Sequence, residues 1–121
     1  MLERFHVPED VAVHVSPEDM HKTVTDFFLK MGMPADDADK GAEVLVYADV
    51  RGIETHGVSN MLRRYVESFG EGGINPSPNP KIVREMPAAA MLDCDGGHGL
   101  VVGPMAMEMA IERAKVYGIG T

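Results

Sequence analysis

Val24, Phe27, Phe28 and Met31 fall at the i, i+3, i+4, i+7 spacing of a helix that buries one stripe. Ser16-Pro17-Glu18-Asp19 precedes them and supplies an N-cap hydroxyl, a proline for the first helical position and acids for the first turn. A helix is therefore predicted from Pro17 until Gly32 breaks it. Pro34 opens a second helix, with Asp36, Asp37 and Asp39 near its positive end. Ala38, Ala42, Leu45 and Val46 form its inner face, and Gly52 stops it just after Arg51. Met61 to Phe69 reads as a third, shorter helix closed by Gly70-Glu71-Gly72-Gly73. Residues 74–80 carry three prolines and two asparagines and predict an extended connector.

Beyond the connector the pattern changes. Lys81 to Glu85 and Ala88 to Asp93 predict two short strands joined by Met86-Pro87. Asp93 to Gly99 is a tight, glycine-dense loop, and Pro104 to Tyr117 predicts a helix with proline near its start and Gly118 at its end. Met105, Met109 and Ala110 mark one side of it. Gly118 to Thr121 reads as the opening of a further strand. The expected class is α/β, in the form of an α+β fragment: a tail over 1–15, a helical segment over 16–73, a connector over 74–80, and the start of an α/β unit over 81–121. No repeat or low-complexity tract interrupts it.

Composition narrows the function classes. A chain of 121 residues with 45% hydrophobic and 25% charged residues is ordinary for a globular protein. A net charge of −8 argues against a nucleic-acid partner, although a local basic site for an anionic substrate remains compatible with it. No apolar run approaches the roughly 20 residues that span a bilayer, and the acidic first 15 residues are unlike a signal or transit peptide. The single cysteine, Cys94, has no partner in the chain, so a reducing, cytoplasmic setting is expected. Ten methionines and no tryptophan point to adaptable core filling.

The candidate chemistry centres on Asp49-Val50-Arg51-Gly52-Ile53-Glu54-Thr55-His56-Gly57-Val58. A histidine beside a hydroxyl, between glycines and directly after a helix, places a titratable imidazole at a backbone corner. Gly52 and Gly57 are expected to adopt conformations closed to other residues. Thr55 is placed to orient the imidazole or bond a substrate. Arg63, Arg64 and Tyr65 offer cations and a phenol for a carboxylate. The competing reading is a structural histidine followed by a solvated helix face.

His98 is weaker. Its loop holds Gly96, Gly97, Gly99 and Gly103 ahead of a helix, which raises a phosphate cradle. The spacing matches neither a dinucleotide fingerprint nor a P-loop, and Asp93 and Asp95 would repel phosphate, so a structural turn is expected. His6, His14, His21, His56 and His98 show no paired ligand spacing, and one cysteine builds no zinc cluster, so no metal site is expected. Cys94 has no basic neighbour in sequence to activate it as a nucleophile.

Four ordered motifs together resemble the type-2 malate/lactate dehydrogenase family, which includes ureidoglycolate, sulfolactate and diketogulonate oxidoreductases. They are Ala48 to Val58, Gly73-Ile74-Asn75-Pro76, Asp93 to Gly99, and Met107 to Ala114. The resemblance runs from about residue 17 to Thr121. It implies an enzyme that uses NAD or NADP to interconvert 2-hydroxy acids and 2-oxo acids and works as a homodimer. It also implies an N-terminal helical segment packed on a non-Rossmann cofactor domain. Matched to the family's Ser/Thr-His-Gly corner, His56 becomes the catalytic acid–base residue, with Thr55 and Tyr65 at the substrate. The family's arginine three residues after the corner glycine falls at Asn60, which leaves Arg63 or Arg64 to bind the carboxylate, Arg64 being favoured beside Tyr65. Cofactor-binding residues are expected beyond Thr121, so the 121-residue chain is expected to be inactive by itself. The alternative is a free-standing small α+β binding or interaction domain without activity.

Overall fold

The computed structural model describes residues 7–121; the first six residues, His6 and the start of the expected tail among them, lie outside it. The elements run α1 (Pro17–Lys30), α2 (Ala35–Val50), a 3-10 turn (Glu54–His56), α3 (Val58–Gly70), β1 (Lys81–Met86), β2 (Ala89–Asp93) and α4 (Gly99–Tyr117). Ser16 caps α1 as its sequence predicts: the side chain accepts from the Asp19 amide at 3.0 Å. Gly32, at φ +92°, turns the chain into α2.

The core lies where α1 crosses α2, with Val24, Phe28, Ala38, Ala42 and Leu45 fully buried. Phe28 and Val24 carry the α1 stripe, whereas Phe27 and Met31 are only half-buried. Gly41 makes the close crossing feasible, since a Cβ there would stand 3.1 Å from Phe28 Cε2. Met61, Leu62, Tyr65 and Phe69 of α3 and Leu100 and Val101 of α4 pack over this cluster. Truncating a ring in such a core typically costs about 3–5 kcal/mol.

Three boundaries differ from the sequence reading. The helix expected at Met61 begins at Val58, because a capping group arrives from α2. The hairpin turns at Pro87-Ala88 and not Met86-Pro87: Met86 still pairs with Ala89, and proline suits a turn position that needs no amide. The last helix starts at Gly99, five residues before Pro104, because His98 caps it, and Pro104 lies inside it. Proline there withholds one amide from the helix, a loss the earlier start tolerates.

Residues 74–80 are clamped to the glycine-dense loop. Asn75 donates its amide to Gly96 O at 2.9 Å and its Nδ2 to both the carbonyl and the carboxylate of Asp95. The Asp95 carboxylate also accepts from Asn79 N. Asp95 holds φ +52° to do this, and Gly97 leaves room for Pro78, whose Cγ would be 2.7 Å from a Cβ. Thr121 donates to Ala88 O and accepts from Ala90 N, the pattern of a strand running parallel to β2, as expected for 118–121. Arg113 of α4 joins Glu85 of β1 in an ion pair.

The 81–121 half has little cover. All of β1 is exposed, α4 has no buried residue, and Val83, Met91, Met107, Val116 and Ile119 stand open to solvent. The isolated 121-residue chain is expected to self-associate and to bind dyes specific for apolar surface. Sedimentation and dye titration test this; a monodisperse monomer that binds no dye contradicts it.

Candidate active site

Two helix ends build the corner that presents His56. At the C-terminus of α2, Gly52 takes φ +69°, its amide donates to Asp49 O at 2.9 Å, and the Ile53 amide donates to Ala48 O at 2.8 Å. These two bonds form a Schellman cap and aim the chain out of the helix. The 3-10 turn follows, closed by His56 N to Ile53 O at 2.9 Å. Gly57 then runs extended, and α3 starts at Val58.

Gly57 has no side chain with which to cap α3. Asp49, in the last turn of α2, supplies the acceptor: its Oδ2 takes the Val58 amide at 2.8 Å. A Cβ on Gly57 would overlap the Asp49 carboxylate. The two glycines of the corner therefore serve different ends. Gly52 provides a left-handed conformation as expected; Gly57, at φ −86°, does not, and it is required for space.

The imidazole of His56 is exposed, and its Nδ1 lies 2.8 Å from Thr55 Oγ1. That contact engages Nδ1, and no hydrogen bond among the described residues engages Nε2. Arg63 pairs with Glu67 on its own helix at 3.1 Å. Arg64 is exposed and makes no ion pair with a described residue, which makes it the available cation of the two. Asn60 Nδ2 approaches Ser59 Oγ at 3.4 Å.

Tyr65 points the other way. Its ring is half-buried edge-on against His98, with centroids 4.2 Å apart, and burial pushes its phenol above the usual range. The structure thus brings Thr55 and His56 together and places Tyr65 with His98, Phe28 and Phe69. No hydrogen bond among the described residues joins Arg64 or Tyr65 to His56.

His98 is 4% exposed. Its Nδ1 accepts from Leu100 N at 3.0 Å, which caps α4 and fixes the proton on Nε2, a nitrogen without a hydrogen-bond partner. The loop before it does not fit a dinucleotide phosphate. Its amides are taken internally, with Asp95 N bonded to Asp93 Oδ1 and Gly97 N to Cys94 O, and two carboxylates stand in the way. Among the described residues no three His, Cys, Asp or Glu side chains converge to hold a metal ion.

A cavity of about 380 Å³ lies between the tail and the helices, lined by Val13, His14, Met20, Val46, Asp49 and Ser59 among others. Asp49 thus borders it, while Thr55 and His56 do not. Asp49 stands inside the corner motif, where adjacent residues alone give it no partner. The signal was present: an acid in the last turn of a helix opposes the dipole and needs another partner.

Residues 15–121 match the family model described as malate/L-lactate dehydrogenase. The chain is 45% identical over 120 residues to a malate dehydrogenase from Pyrococcus abyssi, covering 99% of this chain and 33% of that one. It is 43% identical over 106 residues to an L-sulfolactate dehydrogenase from Methanocaldococcus jannaschii, covering 88% and 30%. The solved malate dehydrogenase of Pyrococcus horikoshii superposes with a TM-score of 0.88 at 40% identity, over 95% of this chain and 32% of that one. The chain spans about a third of the length of the curated relatives it matches.

Burial lowers the pKa of His98 from 6.5 to about 4. The unfolded chain therefore binds this proton more readily than the folded one between those values, and stability falls as pH drops from about 6.5 to about 4. The loss attributable to His98 is at most about 3 kcal/mol. His98→Asn, which keeps a capping side chain, is expected to flatten this part of a stability–pH curve measured by urea denaturation. An unchanged slope would show that His98 is not the group responsible.

Proposed function

Because this chain belongs to the malate/L-lactate dehydrogenase family, we propose that the whole protein interconverts 2-hydroxy acids and 2-oxo acids with NAD or NADP. In this reading the chain contributes the acid–base group and part of the substrate site. The observation that carries it is the exposed His56 imidazole, held at Nδ1 by Thr55 on a corner whose backbone is hydrogen-bonded at both ends. A free-standing binding domain is not favoured, since nearly the whole chain matches a dehydrogenase family.

When bound, the nicotinamide supplies or accepts hydride; no residue of this chain is assigned to hold it. His56 handles the proton. In reduction, negative charge grows on the substrate carbonyl oxygen, and an imidazolium donates from Nε2 to that oxygen. In oxidation the neutral ring removes the hydroxyl proton at the same atom. The Thr55 hydroxyl accepts from Nδ1–H in both the charged and the neutral ring, which keeps the proton on Nδ1 and leaves Nε2 as the atom that gains and loses the substrate's proton.

Arg64 is the cation we assign to the substrate carboxylate, since Arg63 is engaged with Glu67. The Tyr65 phenol, which burial keeps protonated, is a hydrogen-bond donor beside it in sequence. We place the protein in the cytoplasm as a homodimer. The lone thiol of Cys94 suits a reducing compartment, and the uncovered apolar side chains of β1 and α4 suit further packing. Among the described residues no helix is long and apolar enough to cross a membrane, and the charge of −8 disfavours nucleic acid.

In the whole protein, His56→Ala is expected to lower kcat by about 10²–10⁴-fold with cofactor affinity unchanged. Arg64→Ala should chiefly raise KM for the acid. Steady-state kinetics with malate, lactate and sulfolactate, at a temperature where all variants are folded, measures both. Turnover of His56→Ala within about threefold of the parent overturns the assignment. The 121-residue chain alone should show no NADH oxidation above a blank with any 2-oxo acid.

A further inference from the structure

On the assignment of His56 as the acid–base residue, we infer that Asp49 is its positioning residue, clamping both ends of the corner that carries the imidazole. The backbone carbonyl of Asp49 accepts from Gly52 N at 2.9 Å, where the chain leaves α2. Its carboxylate accepts from Val58 N at 2.8 Å, where the chain enters α3. One residue thereby holds both the way out of one helix and the way into the next, and His56 lies on the segment between them.

The local chemistry suits this task. Val58 N is the first amide of a helix, an orphan donor at the positive end of the dipole, and a carboxylate is its strongest side-chain acceptor. Gly57 has extended backbone that any residue adopts, yet a Cβ there would overlap Asp49 Oδ1. The glycine beside His56 is thus explained by the carboxylate, and the two residues form one device. No hydrogen bond joins the Asp49 side chain to Thr55 or His56, so its effect on chemistry passes through the backbone bond to Val58. Displacing a catalytic group by about 1 Å costs on the order of 10²-fold in rate, which is the size of effect such a clamp controls.

The test is a double-mutant cycle in the whole protein, with Asp49→Ala and His56→Ala made singly and together and assayed where all are folded. Asp49→Ala is expected to lower kcat on the order of 10²-fold. Asp49→Asn, whose amide oxygen still accepts from Val58 N, should stay within about threefold of the parent. In the His56→Ala background, Asp49→Ala should cost little more, because the group it positions is gone. An equal loss in both backgrounds overturns the inference, since Asp49 then supports the protein without acting through His56. So does an Asp49→Ala variant with parental turnover, or an Asp49→Asn variant as impaired as Asp49→Ala. If His56→Ala itself retains turnover, the acid–base assignment fails first, an outcome visible before the cycle is closed. Should Asp49→Ala not fold, Val58→Pro takes its place: it deletes the same donor at a helix position that accepts proline, and the same outcomes decide.

Discussion

A carboxylate in the last turn of a helix stands at the wrong end of that helix's dipole, and Asp49 occupies this position in α2. Its presence there is explained by α3, whose first amide it accepts and whose positive end it faces. A side-chain cap with favourable charge is typically worth about 1–2 kcal/mol, roughly offsetting its misplacement in α2. The geometric consequence is larger than the energetic one. With Asp49 bonded to both Gly52 and Val58, the direction of α3 relative to α2 is set, and α3 brings Met61, Leu62, Tyr65 and Phe69 down onto the core.

From that placement the second half of the chain follows. Tyr65 and Phe69 form two walls of the aromatic enclosure around His98, with Phe28 of α1 as the third. His98 in turn caps α4, so the start of the last helix is tied to the packing of the first three. The enclosure excludes water, which explains why the ring is neutral at ordinary pH and why its tautomer is determined by the Leu100 amide. A second tie runs through polar groups: Asn75 and Asp95 lock residues 74–80 against the loop that leads to His98. Two of the motifs that carry the family resemblance, around Asn75 and around Asp95, are thus two sides of one hydrogen-bonded joint.

The contrast between the halves bears on function. Residues 16–73 enclose a core and present His56 on a braced corner. Residues 81–121 leave a hairpin and a long helix with apolar side chains uncovered. A chain that spans a third of its relatives' length therefore carries a braced histidine corner together with a surface suited to further packing. The bonds from Gly52, Ile53, His56 and Val58 that shape the corner lie within the first half of the chain.

What was legible in the sequence is what depends on neighbours along the chain. Ser16-Pro17 announced α1, the apolar faces of α1 and α2 announced the core, and Thr55-His56 announced a hydroxyl–imidazole contact that needs only adjacent residues. Gly52 was legible for the same reason, since a helix end demands a left-handed residue. What only the tertiary structure decided involves partners far apart or volumes occupied by another element. The start of α3 at Val58 required an acceptor from nine residues earlier, and the start of α4 at Gly99 required a histidine whose ring is buried among residues from α1 and α3. Gly57 looked like a conformational need and proved to be a steric one, because the group that forbids its side chain belongs to α2. The Tyr65 ring lies against His98, because helical periodicity turns it toward the core while leaving Arg64 outside. Local propensity marks where an element is permitted; caps and contacts from other elements set where it begins and which way its side chains face.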